Sequence, residues 1–251
     1  MARTKKAVDG AFEIYAVDDG SINSIIQVSD PLHMRILNEL SESPLSMSEV
    51  ADITGKAQST LSVHMEQLVN RNLISYDFDK NDSRRKIFRL ISKKIASSKD
   101  VIEHPKDDSE DFFDKLMDGK DFFKDALIRF LIKLDFSGLD FSPLTFDMGR
   151  EFAMHISSRL TSNKVEDVIS WIQEFYERNA IGEVCIYTFM PLTIIIRYGE
   201  TFPLPIDSIA SFNHGLFTGL LTGATNIPHV ITKSEIFGTG NNYHKFVIEG
   251  Q

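Results

Sequence analysis

Apolar residues settle into helical spacing from about residue 30 and into alternation in several later segments. Asp30-Pro31 sets a capping side chain ahead of a proline at the first helical position, and Leu32, Ile36, Leu37 and Leu40 follow at helical intervals. Pro44 stops that helix. Ser48-Glu49 opens a short second helix with Val50, Ala51 and Ile53 inward, and Gly55 closes it. A third helix runs from about Ala57 to Arg71, with Leu61, Met65 and Leu68 at i, i+4 and i+7. Two strands, Leu73–Phe78 and Lys86–Ile91, follow around the polar turn at 79–83. Upstream, residues 1–28 have no strong period; Phe12, Ile14, Ile22, Ile25 and Ile26 fit either a short strand or a helix packed on a partner.

A polar stretch at 92–111, with one proline, has the composition of a linker. Beyond it the spacing predicts helices within Phe112–Leu134, Asp147–Leu160 and Val165–Asn179, then strands at Glu183–Phe189 and Leu192–Gly199. A helix over Ile206–Leu221 and a hairpin of Val230–Phe237 with Tyr243–Glu249 complete the chain. The expected class is α+β, divided as an N-terminal extension (1–29), a winged helix-turn-helix domain (30–95), a linker (96–111) and an α+β sensory domain (112–251).

Composition changes this picture little, but charge does. Apolar residues make up 42% and charged residues 25%, as in ordinary globular proteins, and no apolar run is long enough to span a membrane. With one cysteine, Cys185, there is no internal disulfide or thiolate cluster, and no signal-peptide pattern follows the basic N-terminus; a cytoplasmic protein is expected. A net charge of −9 argues against nucleic acid only when read as one number. Residues 1–100 hold 14 basic and 14 acidic residues, so the acidic excess lies wholly in 101–251. Lys56–Lys94 carries nine basic residues against four acidic ones, and screening confines distant charges to about a Debye length of ~8–10 Å.

The third helix opens on small polar residues. Lys56, Gln58, Ser59, Thr60, Ser62 and His64 occupy the part that a helix-turn-helix presents to the major groove, and Gln58 has the amide needed for a bidentate pair with adenine. Arg84, Arg85 and Lys86 flank the turn between the two strands, where a wing meets phosphate or the minor groove. The run Gln58-Ser-Thr-Leu-Ser-Val-His-Met-Glu-Gln-Leu-Val-Asn-Arg-Asn-Leu-Ile74 resembles the ArsR-family signature, with similarity over roughly residues 30–92. That resemblance implies a winged helix binding double-stranded operator DNA as a homodimer. Asn72 stands where the family usually has glycine, and asparagine is the next-best residue for a left-handed turn. The family's metal-sensing cysteines on this helix are absent, so no metal site is expected.

The second half is similar to the 4-vinyl reductase domain, which is related in fold to TRAPP subunits. The similarity lies in Phe212-Asn-His-Gly-Leu-Phe-Thr-Gly-Leu-Leu221, in Gly240-Asn-Asn-Tyr-His-Lys-Phe246, and in the order of Asp147-Met-Gly-Arg150 and Gly182 before them. It implies a module for a small hydrophobic effector, lipid-like or aromatic. Where family members place cysteines in the last hairpin this chain has Ile236 and His244, so thiolate sensing is not expected. Candidate lining residues are Phe146, Phe152, Trp171, Phe175, Tyr187, Phe212 and Phe217, each equally at home in a core; His155 and His214 are candidates for a ligand contact. Gly215 and Gly219, four apart in a helix, mark a close approach of backbone or ligand.

No nucleophile elbow, Walker loop, dinucleotide fingerprint or His-Glu-x-x-His pattern occurs, so neither catalysis nor a cofactor is expected. The expectation is a one-component transcription regulator with an effector-binding second half. The alternative is an assembly protein that uses the TRAPP-like half to bind other proteins.

Overall fold

The structure, a computed structural model, describes residues 10–18, 23–79, 82–99, 126, 130–135, 137–160, 162–199, 206–238, 240 and 242–250. The chain divides into two compact units, 1–100 and 101–251. Among the described residues no helix is long and apolar enough to cross a membrane. The wing tip at 80–81, Ile22, and most of the expected linker and first helix of the second half lie outside the described residues.

In unit 1, strands β1 (Glu13–Asp18) and β2 (Asn23–Val28) form an antiparallel hairpin ahead of helix α1 (Pro31–Glu42). Asp30 caps α1, its Oδ1 accepting from the amides of Leu32 and His33 at 2.8 and 3.1 Å. Helix α1 buries His33, Ile36, Leu37 and Leu40. Strand β3 (Leu45–Ser46) leads into α2 (Met47–Thr54), which starts at a capping box of Ser46 and Glu49 and ends on Gly55 at φ 68°. The second helix therefore starts one residue ahead of the Ser48 expected from the sequence.

Helix α3 (Gln58–Asn70) buries Leu61, Met65 and Leu68. Its end is a Schellman turn: Leu73 N–H donates to Leu68 C=O at 3.0 Å and Asn72 N–H to Val69 C=O at 2.9 Å, with Asn72 left-handed at φ 54°. Asparagine thus fills the position where glycine is usual, and its polar side chain tolerates that geometry. Strands β4 (Ile74–Phe78) and β5 (Lys86–Leu90) form the wing, with β3 on the far side of β5.

Two expectations need correction here. Residues 93–98, of which 96–98 were read as linker, form strand β6 (Lys93–Ser98), which pairs antiparallel with β1. The stretch read as an extension belongs to the same core, since Tyr15, Val17 and Val28 pack with Ile36, Leu37, Leu61, Leu68 and Phe88. A buried carboxylate closes the join. Glu13 accepts from Tyr15 OH at 2.7 Å and Asn38 Nδ2 at 3.0 Å, and it pairs with Lys94 Nζ.

Unit 2 sets helices against one antiparallel sheet, and among its described residues 130–135 are helical ahead of the elements that follow. A two-residue strand β7 (Leu139–Asp140) precedes α4 (Ser142–Ser157), α5 (Val165–Arg178), β8 (Glu183–Phe189) and β9 (Leu192–Arg197). Helix α6 (Asp207–Thr225), β10 (His229–Phe237) and β11 (Tyr243–Gly250) complete it, in the strand order β10-β11-β9-β8. Ile169, Ile172, Tyr176, Ile194, Ile196, Leu216, Phe217, Leu220 and Phe246 make the core. Helices α4 and α6 touch through their backbones. A Cβ on Gly215 would overlap the Phe146 carbonyl oxygen, and one on Gly149 would overlap that of Phe212. The mid-helix glycines thus serve helix packing.

Candidate nucleic-acid interface and the cleft of the second unit

The start of α3 meets solvent. Lys56, Gln58, Ser59, Thr60 and Ser62 are all exposed, while Leu61, Met65 and Leu68 anchor the opposite face. Ser62 Oγ donates back to Gln58 C=O at 2.9 Å, leaving the Gln58 amide available to a base edge. No side chain caps this helix, because Ala57 occupies the cap position, so its first amides remain donors for phosphate. Val63 is 56% exposed on the same element. Its signal in the sequence is a lone valine outside the Leu61-Met65-Leu68 stripe, among polar neighbours.

The three basic wing residues do different things. Arg84 reaches out with 94% of its side chain exposed, its guanidinium 3.6 Å from Asp82. Arg85 turns inward: its Nη2 donates to Ser46 Oγ at 3.1 Å and lies 3.4 Å from Glu49 Oε2, bracing the wing on the capping box of α2. Ser46, with Arg85 beside it, holds the Glu49 carboxyl below the usual carboxylate range. Lys86 lays its ammonium over the Tyr76 ring, 4.0 Å from the centroid.

His64 is half-buried and does not stand with the exposed run. Its Nδ1 lies 3.0 Å from His33 Nε2 on α1, and the two rings meet edge to face. Asp30 joins them, so one ligand atom from each of Asp30, His33 and His64 lies within 4.8 Å of the other two. Burial pushes His33 below its ordinary value, against the pull of Asp30. No spacing rule in the sequence announces this trio, because 31 residues separate the histidines.

The second-unit aromatics divide. Trp171 stacks on Phe175 with centroids 5.1 Å apart, Phe152 lies 5.8 Å from Phe175, and Phe212 lies 6.5 Å from Phe152. Those four form one partly exposed cluster. Phe146 instead contacts His214, whose burial lowers its proton affinity, and His155 sits at the surface beside Arg159. Phe217 is wholly buried among core residues, and Tyr187 is 73% exposed on β8. The seven therefore do not line one apolar cavity. A cleft of about 940 Å³ opens elsewhere, lined by Gln173, Glu174, Glu177, Glu183, Arg197 and Tyr198 among others.

Tyr198 links that cleft to a buried polar chain. Its hydroxyl accepts from Asn213 Nδ2 at 2.6 Å and lies 3.2 Å from His244 Nδ1, while Tyr176 OH donates to Asn213 Oδ1. His244 is fully buried, with no hydrogen-bond partner on Nε2 among the described residues, and burial lowers its pKa from 6.5 to about 4. In the sequence His244 stands where family members place a cysteine and lacks the further ligands of a zinc site, and nothing local marks it as buried.

Residues 30–76 match the family model of the bacterial regulatory protein, arsR family. Unit 1 carries an arsR-type helix-turn-helix. The matched span runs from the Asp30 cap through α3 into β4 and takes in the exposed polar run. No curated protein matches the chain. A crystal structure of a vinyl-4-reductase family protein from Methanocaldococcus jannaschii is similar over 60% of this chain and 99% of its own, at 13% identity and a TM-score of 0.34.

Proposed function

We propose that the chain is a DNA-binding transcription regulator, reading an operator with α3 and the wing of unit 1 and sensing a small effector through unit 2. The observation that carries the reading is the exposed polar face of α3 on a helix-turn-helix of arsR type. Gln58 supplies the bidentate base contact, Ser59, Thr60 and Ser62 supply hydroxyls, and Val63 supplies an apolar surface for a thymine methyl. Lys56 and Arg84 supply phosphate charge. A homodimer would place two copies of α3 on half-sites about one helical turn apart.

Selection from a random duplex pool, followed by anisotropy titration across a salt series, tests this. Binding should weaken steeply with salt. Arg84→Ala should weaken it nearly uniformly across sequences and lower the salt slope by about 1, whereas Gln58→Ala should cost about 1–3 kcal/mol of discrimination at one base pair. Absence of duplex binding at low salt would sink the proposal.

For the effector, the cleft favours a polar molecule over the apolar one expected from the sequence, since three carboxylates and one guanidinium line it. A thermal-shift screen, with hits then added to the operator titration, checks that reading. Ligands that raise stability without altering operator affinity would remove the sensor role.

The assembly reading is favoured by a separate observation. Tyr187, Phe189 and Met190 are exposed along β8 and the turn after it, and β8 is an edge of the sheet. Light scattering on Tyr187→Glu/Met190→Glu tests this edge as a seam between copies of the chain: a drop in mass supports one, and an unchanged mass rejects self-assembly there and leaves binding to other proteins to be read by pull-down with the same variant.

A further inference from the structure

We propose that Asp30, His33 and His64 form a binding site for a divalent ion of the zinc class, which ties the reading helix α3 to the start of α1. Three ligand atoms already lie within 4.8 Å of one another, and each comes from a residue type that zinc accepts. The two imidazole nitrogens, His33 Nε2 and His64 Nδ1, are 3.0 Å apart. In a tetrahedral site with metal–nitrogen bonds of about 2.0–2.1 Å, that separation is roughly 3.3 Å, so small ring movements admit the ion. Asp30 is exposed and leaves an approach from solvent, while His33 is buried and fixed by its helix.

The proton balance is simple. One of the two facing nitrogens carries a hydrogen in the present contact, and it must leave before both can ligate. In a neutral ring it moves to the other nitrogen of the same imidazole by exchange with water, so no net charge is lost. Asp30 uses Oδ1 to cap α1 and keeps a second oxygen in its carboxylate. Three protein ligands leave a fourth position for water, and a nitrogen–oxygen donor set suits zinc, cobalt or nickel better than soft ions. The only cysteine, Cys185, belongs to unit 2.

Cobalt(II) and zinc titration of the full, chelator-treated chain tests the site without DNA, so its failure and the failure of the operator reading are separate results. Expected are ligand-field bands of a nitrogen-rich cobalt site, one ion per chain, and a melting temperature that rises with zinc. Asp30→Asn keeps a good cap and should weaken binding about tenfold or more, while His64→Gln should nearly abolish it. His155→Gln, remote in sequence and in the other unit, should change nothing. Wild-type protein that gives no bands and no zinc-dependent shift overturns the proposal. So do bands that persist unchanged in His33→Gln/His64→Gln, which locate the ion elsewhere.

Discussion

Arg84 and Arg85 are adjacent in sequence and opposite in employment, and substitution should separate them. Arg84→Ala should act on DNA affinity with little change in stability. Arg85→Ala removes the brace on Ser46 and Glu49, an exposed contact, and should lower stability by about 0.5–1 kcal/mol in a denaturant melt. Equal loss of stability in the two variants would contradict the division. His244 permits a sharper test. An unfolded histidine takes up its proton near pH 6.5, whereas the folded chain resists until about 4. Stability is therefore complete above 6.5 and is lost as pH falls between those values, by up to about 1.4 kcal/mol per pH unit. Replacing the ring in His244→Phe should flatten that dependence, and Tyr198 would keep its bond to Asn213. A slope that survives the substitution assigns the titration to other groups.

At the scale of elements, legibility follows the range of the interaction. Helices α1 to α3 were readable because caps, stops and apolar stripes act within a turn or two: Asp30-Pro31, Gly55 and Asn72 each announce a boundary locally. Strand β6 was not, because its partner β1 lies some eighty residues upstream and its sequence, Lys-Lys-Ile-Ala-Ser-Ser, is as polar as a linker. The aromatic residues of unit 2 failed for a related reason. Ring identity says how much surface is to be buried but not against what, so Phe217 in the core and Tyr187 on the surface looked alike. Gly215 and Gly219 were recognised as close-approach positions, and the approaching group is α4. Gly215→Ala should therefore destabilise unit 2 by about 2–4 kcal/mol, read as a lowered melting temperature. A neutral effect would mean the helices can separate.

Across the whole molecule, the two units have separate cores, one around Leu37, Leu61 and Phe88 and the other around Ile194, Phe217 and Phe246. Calorimetry should resolve two transitions. The Gly215→Ala substitution should move the unit 2 transition and leave the other in place, whereas acidification from pH 6.5 should lower both, because His33 in unit 1 and His244 in unit 2 are each held below the ordinary histidine value by burial. A single transition that shifts as one would show the units to be thermodynamically fused. The uneven charge along the chain belongs at this scale too, since the basic run of Lys56–Lys94 falls in one unit and the acidic excess in the other.

The interlocked backbones of α4 and α6 also limit how unit 2 can deform. With Gly149 seated against Phe212 and Gly215 against Phe146, a slide of one residue along either axis would drive a side chain into a carbonyl group. The pair is consequently expected to move as a single stiff beam, so that a change of shape in this unit would be a tilt of that beam or a movement of α5 and the sheet around it.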